Sequence, residues 1–181
     1  MICWFALNKS TAKYLPQSLR GLSKIETLTL GDLRCLDSAF TELMKGILDG
    51  MPSLCCLEIF GNNISIEAAK MLKDIIIHHP KLVYLNLSFC EMDMNCFESI
   101  LDGCKLSGSM QVLKVWMSIA GSVEGVKSLE HWLMSGKLNL LSIAFHANNN
   151  AGHFFYRLRP LLARNWEEYK SINHMRNKEI N

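Results

Sequence analysis

Apolar residues recur along this chain in a frame that restarts about every 28 residues. The frame starts at positions 25, 54, 82, 110 and 138, which lie 29, 28, 28 and 28 residues apart. Its clearest copy is Leu54-x-x-Leu57-x-Ile59-x-x-Asn62-x-Ile64. Because alternating apolar residues indicate a strand with one buried face, each unit is predicted to begin with a short strand. The predicted strands are Thr27–Leu30, Cys56–Ile59, Tyr84–Leu87, Val112–Val115 and Leu140–Ile143.

The second half of each unit has apolar residues three and four positions apart, which is the pattern of one helix face. In the second unit these residues are Ala68, Ala69, Leu72, Ile75 and Ile76. A single unit cannot bury its apolar face, so neighbouring units are predicted to stack. The pattern resembles the leucine-rich repeat, and this resemblance implies an α/β fold, a right-handed leucine-rich repeat solenoid. In this horseshoe segment, parallel strands line the concave face and helices cover the convex face.

The strand offsets, the Asn62 and Cys90 positions and the helix in each unit resemble the ribonuclease-inhibitor-like subtype of the leucine-rich repeat. The resemblance extends over residues 25–162. The same subtype occurs in NOD-like receptor sensor domains, in Ran GTPase-activating proteins and in some bacterial effectors. It implies an intracellular protein that binds other proteins. No catalytic or contact residue of those families can be aligned with a position in this chain.

The frame also predicts how the chain is divided. A single domain over residues 1–181 would hold a partial repeat at 1–24, five repeats at 25–165, and a C-terminal cap and tail at 166–181. Ile2, Phe5 and Leu7 continue the inward offsets and are predicted to pack against the first complete unit, at Leu30, Leu33 and Cys35. Either the chain begins inside a repeat or it is a piece of a longer array. At the other end, Trp166 and Tyr169 are expected to close the last core layer.

Composition narrows the class of partner. The 181 residues are 49% hydrophobic and 20% charged, with a net charge of +2. This balance argues against disorder and gives no strong attraction to nucleic acid or to an anionic membrane. The seven cysteines form no secreted-scaffold pattern, so we expect reduced thiols and a cytoplasmic protein. We expect neither a leader nor a membrane span, and a monomer unless the open N-terminal repeat end self-associates.

Side chains that alternate with the buried ones should form columns across the strands. Large or charged residues at these offsets are predicted to bind a protein partner, because exposed aromatic side chains are typical of binding hot spots. Under the alternative, some of them, especially Phe89 and Phe145, pack locally into the turns beside the strands. The predicted contact residues are Glu58, Phe60, Tyr84, Asn86, Phe89, Lys114, Trp116, Met117 and Phe145.

Motifs for metal binding and catalysis are absent from the sequence. Cys90, Cys96 and Cys104 are separated by five and seven residues, which is not a zinc-ligand spacing. The chain has no glycine-rich phosphate loop, no HExxH and no GxSxG. We therefore expect no metal, no cofactor and no enzymatic activity. The leading hypothesis is a protein-interaction module, and the alternatives are the sensor or autoinhibitory end of a NOD-like receptor or a regulator of an enzyme.

Overall fold

The computed structural model describes residues 14–19, 21–33, 37–116, 122–134, 142–144, 158–161 and 163–164. The elements are, in chain order, α1 (Leu15–Leu19), β1 (Thr27–Thr29), α2 (Asp37–Gly50), β2 (Cys56–Glu58), α3 (Ile66–His78), β3 (Tyr84–Asn86), α4 (Met94–Leu106), β4 (Val112–Lys114), α5 (Val123–Met134) and β5 (Ser142–Ala144). The packing predicted for Ile2, Phe5 and Leu7, and the cap predicted at Trp166 and Tyr169, lie outside the described residues.

The strands form one parallel sheet in the order β1-β2-β3-β4-β5, with a helix between each strand and the next. Leu28, Leu57, Leu85 and Leu113 face one another in register at the centres of the first four strands. The predicted combination of a parallel sheet with intervening helices is therefore confirmed.

The predicted position of the last strand is wrong by two residues. The frame placed Leu141 beside Leu113, whereas the residue paired with Leu113 is Ile143. Strand alternation has a period of two, so a shift of two residues keeps an apolar residue at the central position. The hydrophobic pattern therefore cannot distinguish these two registers.

The core joins the strand leucines to the inner helix faces. Leu57, Leu85 and Leu113 are fully buried, and they belong to the same cluster as Ala68 and Leu72 of α3. Such side chains stabilise a fold by about 1.5–3 kcal/mol each when they leave water. The helical stripe predicted for the second unit is buried along its whole length. Among the described residues, no helix has the length and apolarity needed to cross a membrane.

Local signals fix where the central helices begin and how closely they pack. The Ser65 hydroxyl accepts the Ala68 N–H at the start of α3, and the Asp93 carboxylate accepts the Cys96 N–H at the start of α4. Within α4, a Cβ on Gly103 would lie only 3.1 Å from the Lys73 Cα. The absence of a side chain there lets α3 and α4 approach closely, whereas α5 packs less tightly against α4.

Candidate functional site

The turn after β2 is held by the buried side chain of Asn62. Its Oδ1 accepts the Leu33 N–H at 2.9 Å, and its Nδ2 donates to the carbonyls of Leu30 at 2.9 Å and Ile59 at 2.6 Å. One amide thus connects two successive units beyond the ends of their strands. At the equivalent offset, the Cys90 thiol donates to the Ile59 carbonyl at 3.3 Å. Both residues satisfy backbone groups, as the frame predicts.

Left-handed backbone conformations recur in the turns beside this ladder. Asp32, Gly61 and Phe89 occupy the same offset of three successive units, with φ of 49°, 70° and 59°. Glycine adopts this conformation freely, whereas an ordinary side chain costs roughly 1–2 kcal/mol there. Phe89 is therefore strained, whereas Gly61 in the equivalent turn of the preceding unit is not.

Backbone hydrogen bonds continue the sheet through these turns. The Gly61 N–H donates to the Ser88 carbonyl at 2.9 Å, and the Phe89 N–H donates to the Trp116 carbonyl at 2.7 Å. The Trp116 N–H in turn donates to the Ser88 hydroxyl at 3.2 Å. Phe89 and Trp116 are thus connected through their backbones across two units, which fixes their backbone positions relative to each other.

Aromatic side chains from this region form what we call the aromatic patch, which consists of Phe60, Tyr84, Phe89 and Trp116. Phe89 is 57% exposed and Trp116 is 41% exposed, while Phe60 and Tyr84 are half-buried. The Phe60 ring covers Gly31, where a Cβ would overlap the ring. The local-packing alternative thus describes Phe60 in part, but it does not describe Phe89.

Next to the aromatic patch, a row of polar residues crosses the sheet with one residue on each of four strands. Thr29, Glu58, Asn86 and Lys114 are aligned in register on β1 to β4. The buried Thr29 hydroxyl donates to Glu58 Oε2 at 3.2 Å. Burial raises the pKa of Tyr84 above its ordinary value, and the nearby Glu58 carboxylate adds to this increase. Glu58 therefore has a defined position, next to the Tyr84 ring.

Asn86 does not take the role that its offset suggested. Its side chain was assigned to the contact surface, but the residue is only 7% exposed. The Asn86 Oδ1 accepts the Ser88 N–H at 3.0 Å, so the amide stabilises its own turn. Asparagine side chains often accept a hydrogen bond from the backbone N–H two residues later in a turn. The Asn-x-Ser sequence at the end of β3 was therefore the signal for this local role.

Other predicted and missed residues complete the surface. Lys114 is half-buried at the β4 end of the polar row. Met117 and Phe145 lie outside the described residues. Two residues that sequence reasoning did not select have supporting roles: Thr29 orients Glu58, and Ser88 holds Trp116. A small hydroxyl residue at an outward offset carries no sequence signal that would reveal such a role.

The buried thiols of Cys90 and Cys104 are unsuited to nucleophilic chemistry. Burial raises the pKa of Cys90 to about 11 and that of Cys104 to about 12, which leaves both protonated at neutral pH. All cysteines in the described part of the chain are free thiols. Within the same residues, no three histidine, cysteine or carboxylate side chains are grouped so that they could hold a metal ion.

A cavity of about 390 Å³ lies on the helix side, between α4 and α5. Three of its polar side chains already bond to protein groups: Glu98 accepts the Ser128 hydroxyl at 3.1 Å, and Asp102 pairs with Lys73 at 3.3 Å. These contacts leave fewer polar groups for a ligand. The strand side therefore remains the stronger candidate site. The cavity is lined by Glu98, Leu101, Asp102, Lys127, Ser128, His131 and Trp132.

Comparison with known proteins identifies the fold. No family model matches the chain, and no curated protein matches its sequence. A solved structure described as leiomodin-1 actin-binding site 2 has a TM-score of 0.70 at 10% identity, covering 94% of this chain and 95% of that one. The tropomodulin C-terminal domain of Caenorhabditis elegans has a TM-score of 0.63 at 15% identity, covering 90% and 97%.

These structures correct the resemblance inferred from the sequence. The assignment to the ribonuclease-inhibitor-like subtype is wrong, because the structures that share the fold are leiomodin and tropomodulin domains. The receptor-sensor and enzyme-regulator alternatives followed from that assignment and lose their support with it. At such low sequence identity, the likeness shows the fold: a repeating strand-and-helix domain similar to those of leiomodin and tropomodulin.

Proposed function

We propose that this protein is a non-catalytic protein-interaction module whose partner binds on the strand side, at the aromatic patch. The observation that carries the proposal is the pair Phe89 and Trp116, two exposed aromatic side chains whose backbones are hydrogen-bonded to each other. Rigid aromatic anchors lose little conformational entropy on binding and are enriched among binding hot spots.

The conformation of Phe89 strengthens this argument. A left-handed φ of 59° strains a phenylalanine, and its ring recovers little of that free energy because it is 57% exposed. Asparagine or glycine would suit the turn better. Strained residues of this kind concentrate at functional sites. Contact with a partner gives a reason for a phenylalanine at this position.

The proposal includes a curved architecture. Adjacent strands are ~4.8 Å apart whereas packed helices need ~8–10 Å, so stacked units bend with their strands on the inner side. The strand order and the matching order of helix contacts support a solenoid of this kind, and parallel crossovers with a helix between the strands are right-handed in nearly all proteins. Its concave face would bring the patch and the polar row around one partner.

The same proposal holds that the protein is not an enzyme and that it is located in the cytoplasm. Support for the first comes from the buried cysteines, whose raised pKa values keep the thiols protonated. The second is supported by the free thiols of the described cysteines, which suit a reducing compartment.

Actin is the first partner to test, because one structure with this fold is described as an actin-binding site of leiomodin-1. The protein would be assayed by co-sedimentation with actin filaments and by fluorescence titration with monomeric actin. Trp116→Ala and Phe89→Asn should each weaken binding by at least ~2 kcal/mol, the hot-spot threshold. Leu106→Ala is the matched control, since Leu106 is an exposed apolar residue at the end of α4.

The possible outcomes test the identity of the partner and the location of the binding surface separately. No binding of wild-type protein to either form of actin would reject actin as the partner. Binding that is lost in Leu106→Ala but unchanged in both patch variants would place the contact on the helix side and contradict the proposal.

A further inference from the structure

Glu58 lies in the polar row on β2, next to the Tyr84 ring of the aromatic patch. Its carboxylate is half-buried and accepts the Thr29 hydroxyl at 3.2 Å. The diagonal neighbour on β3 is Tyr84, since Cys56 pairs with Tyr84 and Glu58 pairs with Asn86. Diagonal side chains on adjacent strands are within reach of an aromatic ring. The carboxylate therefore has a fixed orientation beside an aromatic side chain.

Glu58 has no cationic partner among the described residues. Two ion pairs in that part of the chain join Lys45 to Glu42 and Lys73 to Asp102, all on helices and none involving Glu58. Lys114 is aligned with Glu58 two strands away, which places it ~10 Å off at a strand spacing of ~4.8 Å. A half-buried carboxylate with neutral donors only attracts a cation more strongly than a fully solvated one does.

The neighbouring rings suit one kind of cation. Tyr84 is half-buried next to Glu58, and Phe60 follows two residues later on the same side of the chain. A guanidinium or ammonium group gains from contact with an aromatic ring as well as from the carboxylate. Arginine fits best, because its planar group can stack on a ring while it donates to a carboxylate.

We propose that Glu58 is the receptor for a basic side chain, arginine before lysine, which the protein partner inserts beside Tyr84 while its apolar residues contact Phe89 and Trp116. This inference rests on the proposed function and specifies the chemistry of its partner. The charge of Glu58 selects the partner segment, and the exposed rings supply most of the buried apolar area.

The test uses a phage-displayed library of random dodecapeptides selected against the intact protein. Wild-type protein should enrich peptides in which one position is arginine or lysine near aromatic or aliphatic residues. Glu58→Gln keeps the shape of the side chain and its acceptor for Thr29 but removes the charge, so its selection should lose the basic position. Glu67→Gln, on the exposed part of α3, is the matched control and should retain it.

A selected peptide then allows a double-mutant cycle. Replacing its arginine by the neutral isostere citrulline should weaken binding to wild type on the order of tenfold, the value of a hydrogen bond to a charged group. The same replacement should change binding to Glu58→Gln by less than about twofold, because the two changes remove one shared interaction. As a control for folding, the thermal unfolding midpoint of Glu58→Gln should equal that of the wild-type protein.

Two results would overturn the proposal in distinguishable ways. Selected peptides that lack a basic position, or an arginine effect that persists in Glu58→Gln, would overturn the role of Glu58 alone. Peptides whose binding is unaffected by Phe89→Asn and Trp116→Ala would instead remove the aromatic patch as the contact surface, and with it the proposed function.

Discussion

Substitution of Phe89 measures how much its left-handed conformation lowers the free energy of unfolding. Phe89→Asn should raise the free energy of unfolding by up to ~1 kcal/mol, because asparagine tolerates the left-handed conformation. The backbone donor to Trp116 is kept in this variant. The measurement is urea-induced unfolding.

Gly61→Ala is the matched control at the equivalent turn. A Cβ on Gly61 would meet Asp32 atoms at an ordinary 3.6–3.7 Å, so crowding is not the cause of any change. Its φ of 70° should still make the variant about 1–2 kcal/mol less stable than wild type. Equal stability losses in both variants would show that Phe89 is not strained.

His79 should make stability dependent on pH. The residue is 3% exposed, and its ring nitrogens make no hydrogen bond among the described residues. Burial lowers its pKa from 6.5, and the neighbouring carbonyls of Ile47, Ile75 and Met51 oppose this shift without outweighing it. The folded state therefore prefers the neutral ring, whereas the unfolded chain binds a proton below about pH 6.5.

The sign of the effect follows from that difference. The contribution of His79 to stability should be fully present above about pH 6.5 and should decline as the pH falls toward the lowered pKa of the folded state. Urea unfolding between pH 5 and pH 8 measures it. His79→Gln should flatten the profile below pH 6.5, while His131→Gln, on the exposed face of α5, should not. An unchanged profile in His79→Gln would refute the assignment.

At the scale of elements, the turn amide of Asn62 should matter more than its counterpart Cys90. Asn62→Ala removes the acceptor of the buried Leu33 N–H and the donor to the Leu30 carbonyl. Unsatisfied buried groups cost ~1–3 kcal/mol each, so we expect a loss of about 2–4 kcal/mol in urea unfolding.

Cys90→Ala provides the comparison for that variant. It removes one weak donor and a small buried side chain, so its loss should be near 1 kcal/mol. A smaller loss for Asn62→Ala than for Cys90→Ala would mean that the amide does not hold the two units together.

Element positions were predictable wherever side-chain periodicity decides them. The strands at Leu28, Leu57, Leu85 and Leu113 follow from the frame, because each needs one buried face. The β5 register was not predictable, since a shift of two residues leaves the alternation unchanged. Burial of Asn86 also escaped prediction, because strand alternation places this residue outward and only the local Asn-x-Ser turn sequence indicates that its amide bonds to the backbone.

For the whole molecule, stacking of units makes the position of a core leucine as important as its size. Leu85→Ala should lower the free energy of unfolding by ~2–5 kcal/mol, since Leu85 is fully buried between two neighbouring strands.

Leu28 makes the matched comparison, because β1 is at the end of the described sheet. Leu28→Ala should cost less, as contacts in a repeat array run only between neighbours. Urea unfolding of both variants tests this order. A loss within ~0.5 kcal/mol of zero for Leu85→Ala would contradict the frame from which the fold was predicted.

The sequence identified the repeating unit but not the group of proteins that shares this fold. Residues such as Leu57 and Asn62 are of the types that any repeating unit of this kind requires, Leu57 to bury its strand and Asn62 to bond the backbone of its turn. These needs are common to several groups of proteins, so they do not distinguish leiomodin or tropomodulin domains from others. Periodicity also does not constrain exposed residues such as Phe89.

The close contact at Gly103 has a mechanical consequence. Helices α3 and α4 are closely packed at Gly103, whereas an open pocket lies between α4 and α5. The joint between α4 and α5 should therefore yield first when the molecule is pulled or flexed. The hydrogen bond from Phe89 to Trp116 crosses that same joint on the strand side. A protein that contacted both rings would therefore bridge this joint, and its binding should be sensitive to tension.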